Sequence, residues 1–235
     1  MDDIGPGRPT EPAGAPRRAA ALLLCGPPAV GGCPPGVAAD EFAHALAEDV
    51  ADLLGDLPGL DPVVGFTPAH REVAETITWP GTRLLPLAPD SGTLALLAAL
   101  HDLGYQEAAV LAPDVPDLPG LLVAKVFSGL AGAVVGAVPA LPPGRPDLPP
   151  LARGASLPGG LAVLGSRLPA PGWLTADLAD LDAADAVARL RSAAPSRREL
   201  IVTPAWRRLR APADLAGLDP GLEGWEATRA LLSAR

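Results

Sequence analysis

The sequence holds few of the residue types that mark a familiar site. It has two cysteines, three histidines and 3% aromatic residues in 235 positions, too few for a metal cage or a disulfide framework. Cys25 and Cys33 are expected to pack inside the protein in a reducing compartment. His44, His70 and His101 are scattered without ligand spacing. No apolar run reaches the ~18 residues of a membrane-spanning helix, because Pro, Gly and Asp interrupt each one. Acids and prolines occupy the N-terminus where a secretion signal needs a basic start and an unbroken apolar stretch, so a cytoplasmic location is expected. Basic residues are also in deficit, 18 Lys and Arg against 27 Asp and Glu, and a net charge of -9 argues against general attraction to nucleic acid or an anionic membrane. Neither a Gly-x-Gly-x-x-Gly fingerprint nor a Walker loop is present, and Ser91 and Ser156 lack the Gly-x-Ser-x-Gly setting of a hydrolase nucleophile.

What is abundant is proline and glycine, 30 and 26 residues. Much of the excess falls in residues 1–18, expected to be a disordered tail, and in a long loop at 139–160. The remaining 19–235 suit one domain. Charge is uneven: residues 37–61 carry seven acids and no Lys or Arg, whereas 189–210 carry seven arginines and one acid, Glu199. Solvated helix faces are the simplest account of both. Strand-like runs at 19–24, 62–66, 83–87, 108–112, 133–138, 161–164 and 199–203 alternate with helical patterns at 38–54, after Ser91, at 119–130 and at 183–192. A last helix is expected at 222–234. Such alternation predicts an α/β domain with a mostly parallel sheet covered by helices. The four tryptophans, Trp79, Trp173, Trp206 and Trp225, read as core or interface anchors.

The sharpest local feature is the run from Leu111 to Pro119, with Asp114 and Asp117, directly after a predicted central strand. Ligands of open α/β sheets bind beyond the carboxyl ends of strands, and two carboxylates there can hold Mg²⁺ or Mn²⁺ on a diphosphate during phosphoryl transfer. The same residues also suit structural work, Asp114 bonding turn amides and Asp117 capping the next helix.

The Asp114 segment resembles the GSDSPDLP motif of the DUF2064 proteins, glycosyltransferase-like relatives of the molybdenum-cofactor and phospholactate nucleotidyltransferases. The likeness runs over about residues 20–215 and includes the first strand with its Pro-containing loop at 20–28, the Asp90-Ser91-Gly92 segment, and Gly159-Gly160 ahead of a strand. It implies a nucleotide-diphospho-sugar transferase fold of GT-A type. It also implies transfer of a nucleotidyl or glycosyl group, with a nucleoside triphosphate or nucleotide-sugar as ligand. By that likeness Asp114 and Asp117 would be catalytic, with Asp114 the metal ligand. Pro27, Gly31, Gly32, Asp90, Gly92, Gly159, Gly160, Arg208 and Arg210 would line the substrate pocket, the glycines letting backbone approach substrate.

Three departures alter that picture. The loop at 29–36 has no counterpart of the family's Lys-Thr-Arg, Pro158 and Leu161 stand where the family has Asp and Tyr, and Arg208 and Arg210 stand where it has a second pair of carboxylates. Guanidinium groups donate hydrogen bonds and cannot ligate a cation, so these arginines would bind phosphate or carboxylate directly; a solvated surface strand is the plainer alternative. The sequence therefore supports two functions, a divergent nucleotidyltransferase-like or glycosyltransferase-like protein, or a non-catalytic binding or protein-interaction domain on the same scaffold.

Overall fold

The computed structural model describes residues 16–27, 31–145 and 159–233. The elements follow in the order β1 (Arg18–Leu24), α1 (Ala39–Asp56), β2 (Asp61–Phe66), α2 (Arg71–Thr76), β3 (Arg83–Pro86), α3 (Thr93–Asp102), β4 (Glu107–Leu111) and α4 (Gly120–Leu130). They continue with β5 (Val135–Pro139), β6 (Leu161–Arg167), α5 (Ala176–Ala179), α6 (Ala186–Ala193), β7 (Leu200–Val202) and α7 (Glu226–Ser233). All seven strands form one sheet, ordered β3-β2-β1-β4-β6-β5-β7. The pairs β1–β2, β1–β4, β2–β3 and β5–β7 are parallel. Only β6, inserted between β4 and β5, runs antiparallel to both neighbours. The expected α/β architecture is thus the observed one, a single domain with a mostly parallel, mixed sheet.

Continuous apolar runs become central strands because both sheet faces are covered. Every residue of β4 is buried, including Glu107, whose carboxylate accepts from Arg18 Nε at 2.7 Å. Helix α1 turns Ala47, Val50, Ala51 and Leu54 into the main core at helical spacing. α4 lies beside it, with Leu53 and Leu57 of the α1 end against Gly120. α3 ends where Gly104, at φ +85°, takes a left-handed conformation. A second, smaller apolar cluster of Phe42, Leu46, Leu209, Leu218 and Trp225 fastens the C-terminal segment and α7 to the outer side of α1.

Several local expectations give way to longer-range contacts. The tail predicted for 1–18 lies outside the described residues as far as residue 15, but its last residues belong to the fold. Arg18 opens β1, and the Arg17 guanidinium donates to Leu103 O, Asp61 Oδ2 and Tyr105 Oη while lying 4.1 Å from the Tyr105 ring. Of the loop at 139–160, residues 146–158 are outside the described set; Ala140 bridges to Trp206, and Leu141 N donates to Trp206 O. Ser91 does not cap α3, which starts after Gly92 without a side-chain cap. α2 and α5, each short, have no clear periodic signature in the sequence. Trp79 is 65% exposed, its indole donating to Asp52, so it is no core anchor.

The acidic face of α1 is not wholly solvated either. Asp49 is buried and accepts hydrogen bonds from Ala227 N at 2.8 Å and Thr228 N at 3.0 Å, closing the N-terminus of α7. Burial raises its pKa to about 6, against the lowering effect of the Thr228 and Ala227 donors and with a further push from Asp52. An acid that holds its proton more tightly in the folded chain weakens the fold when it ionises. The penalty is absent below the unfolded value near 3.9, grows with pH and is complete above about pH 6. Urea unfolding should therefore show wild type losing up to about 3 kcal/mol relative to Asp49→Asn between about pH 4 and pH 7. A pH-independent difference would mean that Asp49 is solvated.

Candidate functional site

β1, β2 and β4 are parallel, so their carboxyl ends open on one edge of the sheet. A cavity of about 620 Å³ lies there. Its walls come from the end of β1 (Leu23, Leu24, Cys25, Pro27), the inner side of α1 (Ala43, Ala47) and the start of α3 (Asp90 to Ala95). Pro113, the turn at Asp180–Asp182, Arg208 and Arg210 complete it. The expected pocket residues Pro27, Asp90, Gly92, Arg208 and Arg210 are thus brought together from three separate parts of the chain.

Asp114 sits behind the arginines, 1% exposed. Its Oδ1 accepts from Arg208 Nε at 2.5 Å and its Oδ2 from Arg210 Nε at 2.8 Å. Arg208 Nη1 also donates to the carbonyls of Leu161 at 3.0 Å and Leu181 at 2.9 Å. The backbone reinforces the pairing, since Leu209 N donates to Asp114 O while the Leu209 side chain enters the second apolar cluster. Desolvation works to raise the Asp114 pKa, but the charges of Arg208 and then Arg210, with their hydrogen bonds, outweigh it and hold the carboxyl below its ordinary range. The arginines at 208 and 210 are therefore not a solvated surface strand. Arg210 keeps one side toward solvent, and its Nη2 donates to Asp182 Oδ1.

A divalent cation at Asp114 does not fit this arrangement. Mg²⁺ and Mn²⁺ need free anionic oxygens, whereas both Asp114 oxygens accept N–H groups and two guanidinium charges stand where the ion would sit. Among the described residues, no three His, Cys, Asp or Glu side chains converge as a metal cluster.

Asp117 has other partners than the helix-cap reading predicts. It does not cap α4, which begins after Pro119 without a side-chain cap. Its oxygens accept instead from Trp206 Nε1 at 3.1 Å and Arg207 Nη1 at 3.0 Å. It borders a different depression, shared with Asp52, Trp79 and Leu222, so it is separated from the cavity that Asp114 backs. Burial pushes its carboxyl pKa up, although Arg207 and Trp206 oppose the shift.

The glycines allow close approach, but to other backbone. A Cβ on Gly31 would lie 2.4 Å from Arg210 O, and one on Gly32 would lie 2.5 Å from Leu209 O. A Cβ on Gly160 would likewise lie 2.0 Å from Leu181 O, and one on Gly159 2.9 Å from Ala140 O. At these four positions the absent side chain lets the backbone pack against the arginine segment, the Leu181 turn and the chain after β5. Sequence reasoning missed Cys25, His70, Asp180 and Asp182 as cavity residues. His70 Nδ1 is 2.9 Å from Thr67 Oγ1, and burial followed by Asp182 and Asp180 raises the Cys25 thiol pKa. None of the four stands in a motif; each reaches the cavity through the topology alone.

No family model matches the sequence, and no curated protein sequence matches it significantly. Solved structures do. A candidate nucleotide-diphospho-sugar transferase from Desulfovibrio desulfuricans G20 aligns with a TM-score of 0.60 at 17% identity, over 92% of this chain and 97% of that one. The 4-diphosphocytidyl-2C-methyl-D-erythritol synthase of Anaerococcus prevotii aligns at 0.54 and 10% identity, over 92% and 96% of the two chains. A nucleotidyl transferase from Methanothermobacter aligns at 0.53 and 14%, over 93% and 99%. The fold is that of the nucleotidyltransferases and nucleotide-diphospho-sugar transferases of GT-A type. At these identities the likeness concerns the fold and not the chemistry. Among the described residues, no helix is long and apolar enough to cross a membrane.

Removing the Asp114 charge should leave Arg208 buried against a neutral partner. Asp114→Asn is expected to destabilise the protein by about 3–5 kcal/mol in urea unfolding, as breaking one side of a buried ion pair does. Because the carboxyl pKa is depressed, the contribution is present above about pH 4 and fades as pH falls through the lowered value. A folded variant with less than about 1 kcal/mol of loss would show that solvent reaches these arginines.

Proposed function

We propose that this chain binds a nucleotide or nucleotide-sugar in the cavity at the carboxyl edge of the sheet, and that it does so with arginine charge instead of a carboxylate-held metal. The observation that carries this is the double occupation of Asp114 by Arg208 and Arg210. A cavity of about 620 Å³ falls within the ~300–1,000 Å³ usual for small-molecule sites. Its apolar part, including Leu23, Leu24, Val73 and Leu94, suits a ring, while Arg208 and Arg210 supply donors for an anionic group.

Charge favours the nucleotide-sugar over the triphosphate. Asp90, Asp180 and Asp182 share the lining with the two arginines, and the loop after β1 brings no Lys or Arg. Without a metal to neutralise it, a triphosphate meets more repulsion there than a diphosphate diester does. In this proposal the chain is a divergent relative of the DUF2064 proteins that keeps a ligand pocket and has exchanged metal chemistry for a fixed ion pair. Asp117 then serves structure, and Arg210 is the principal anion contact. The same exchange at Asp114 favours a binding role over catalysis by metal-assisted group transfer.

Calorimetry against nucleoside triphosphates and nucleotide-sugars, with Mg²⁺, with Mn²⁺ and with chelator, tests the proposal. Binding should persist in chelator, favour nucleotide-sugars, and weaken about tenfold or more in Arg210→Ala, a loss of roughly 1.4 kcal/mol. Tight binding that requires metal and disappears in a folded Asp114→Asn variant would restore the metal-dependent transferase. Absence of binding across the panel would favour a protein-interaction role.

A further inference from the structure

Four charged groups meet at one end of the cavity, Asp114, Asp182, Arg208 and Arg210, and their formal charges cancel. The two carboxylates are not equivalent. Asp114 is 1% exposed and cannot leave without stranding two guanidinium groups, whereas the Asp182 side chain is 62% exposed. Asp182 lies on the turn between α5 and α6, with Oδ1 2.9 Å from Arg208 Nη1 and also in contact with Arg210 Nη2. The turn itself is held by other bonds. Leu181 O accepts from Leu161 N at 2.7 Å and from Arg208 Nη1 at 2.9 Å, and Asp182 N donates to Asp180 Oδ1 at 2.9 Å. The Asp182 carboxylate is therefore free to depart by side-chain rotation while the backbone stays in place.

We propose that Asp182 is an internal stand-in for the ligand's phosphate, occupying the outward Nη2 of Arg210 beside the Arg208 guanidinium until a phosphate displaces it. This rests on the cavity being a nucleotide or nucleotide-sugar site, as set out above. Exposed carboxylate pairs are weak, because solvent screens them and two long side chains must be held together. A phosphate brings more charge and more acceptor oxygens to the same planar fork. Departure of Asp182 changes the group from neutral to a net single positive charge, which lies where the phosphate enters. Asp90 and Asp180 remain in the lining and oppose negative charge elsewhere, and among the described lining residues Arg or Lys charge that favours phosphate is found at the arginine end. Asp182 thereby sets an affinity threshold: a ligand must outcompete a tethered carboxylate, and weakly charged molecules fail to do so.

The test compares wild type, Asp182→Asn and Asp182→Asn/Arg210→Ala by calorimetry in chelator at low salt. Inorganic pyrophosphate is one titrant and a nucleotide-sugar the other. Asp182→Asn is expected to bind pyrophosphate about tenfold more tightly than wild type, and the double variant to lose that gain. Urea midpoints of the single variant, and of Asp182→Ser as a second replacement, establish that the fold is retained. Equal or weaker pyrophosphate binding by folded Asp182→Asn overturns the stand-in role. If nucleotide-sugar still binds wild type in that case, the cavity assignment survives and only the role of Asp182 falls. If neither titrant binds any of the three proteins, the cavity assignment falls and takes this inference with it.

Discussion

The structure depends on compensating one carboxylate that has been taken out of water. Asp114 follows the fully buried strand β4, and an isolated charge there would cost several kcal/mol. Arg208 and Arg210 remove that cost, and the geometry of their compensation organises the C-terminal segment. Leu209, between them, is driven into the cluster of Phe42, Leu46, Leu218 and Trp225, while its amide bonds to Asp114 O. Asp214 then accepts from Arg210 N, Ala211 N and Gly144 N, tying the arginine segment to the chain after β5. Gly31 and Gly32 lie against the carbonyls of Arg210 and Leu209, so these two glycines also take their position from this pair.

The same scaffold elsewhere presents a nucleotide-diphospho-sugar transferase candidate and nucleotidyl transferases at 10–17% identity. Backbone architecture at that distance is set by apolar patterning and strand order, both of which tolerate wide substitution. Site chemistry is not so tolerant. Placing guanidinium groups beside Asp114 changes the place from one that attracts a cation to one that excludes it, with no change in the course of the strands.

How far the sequence reveals this follows from the range of each interaction. β1, β4, α1 and α4 are legible because their apolar periodicity is local and the structure buries the expected faces. The end of α3 at Gly104 is equally local. Reading fails where a residue serves a distant partner. Asp117 looks like a helix cap and pairs with Trp206 and Arg207 instead; Asp49 sits in an acidic helix stripe and holds the start of α7; Arg17 looks like tail and grips Tyr105 and Asp61. The pairing of Asp114 with residues 208 and 210 is the informative middle case. Family likeness singles out all three positions, yet their mutual neutralisation depends on a contact that only the folded chain makes.

That separation has a consequence for synthesis. Asp114 leaves the ribosome 94 residues before Arg208, and Asp49 precedes its partner Thr228 by 179. A nascent chain that stops short of residue 208 holds most of the sheet but has no counter-charge for the end of β4, and the outer surface of α1 has nothing to cover it. Folding of this domain is therefore completed only once residues 208–233 have been made, and chains truncated before them present exposed apolar surface to chaperones and proteases.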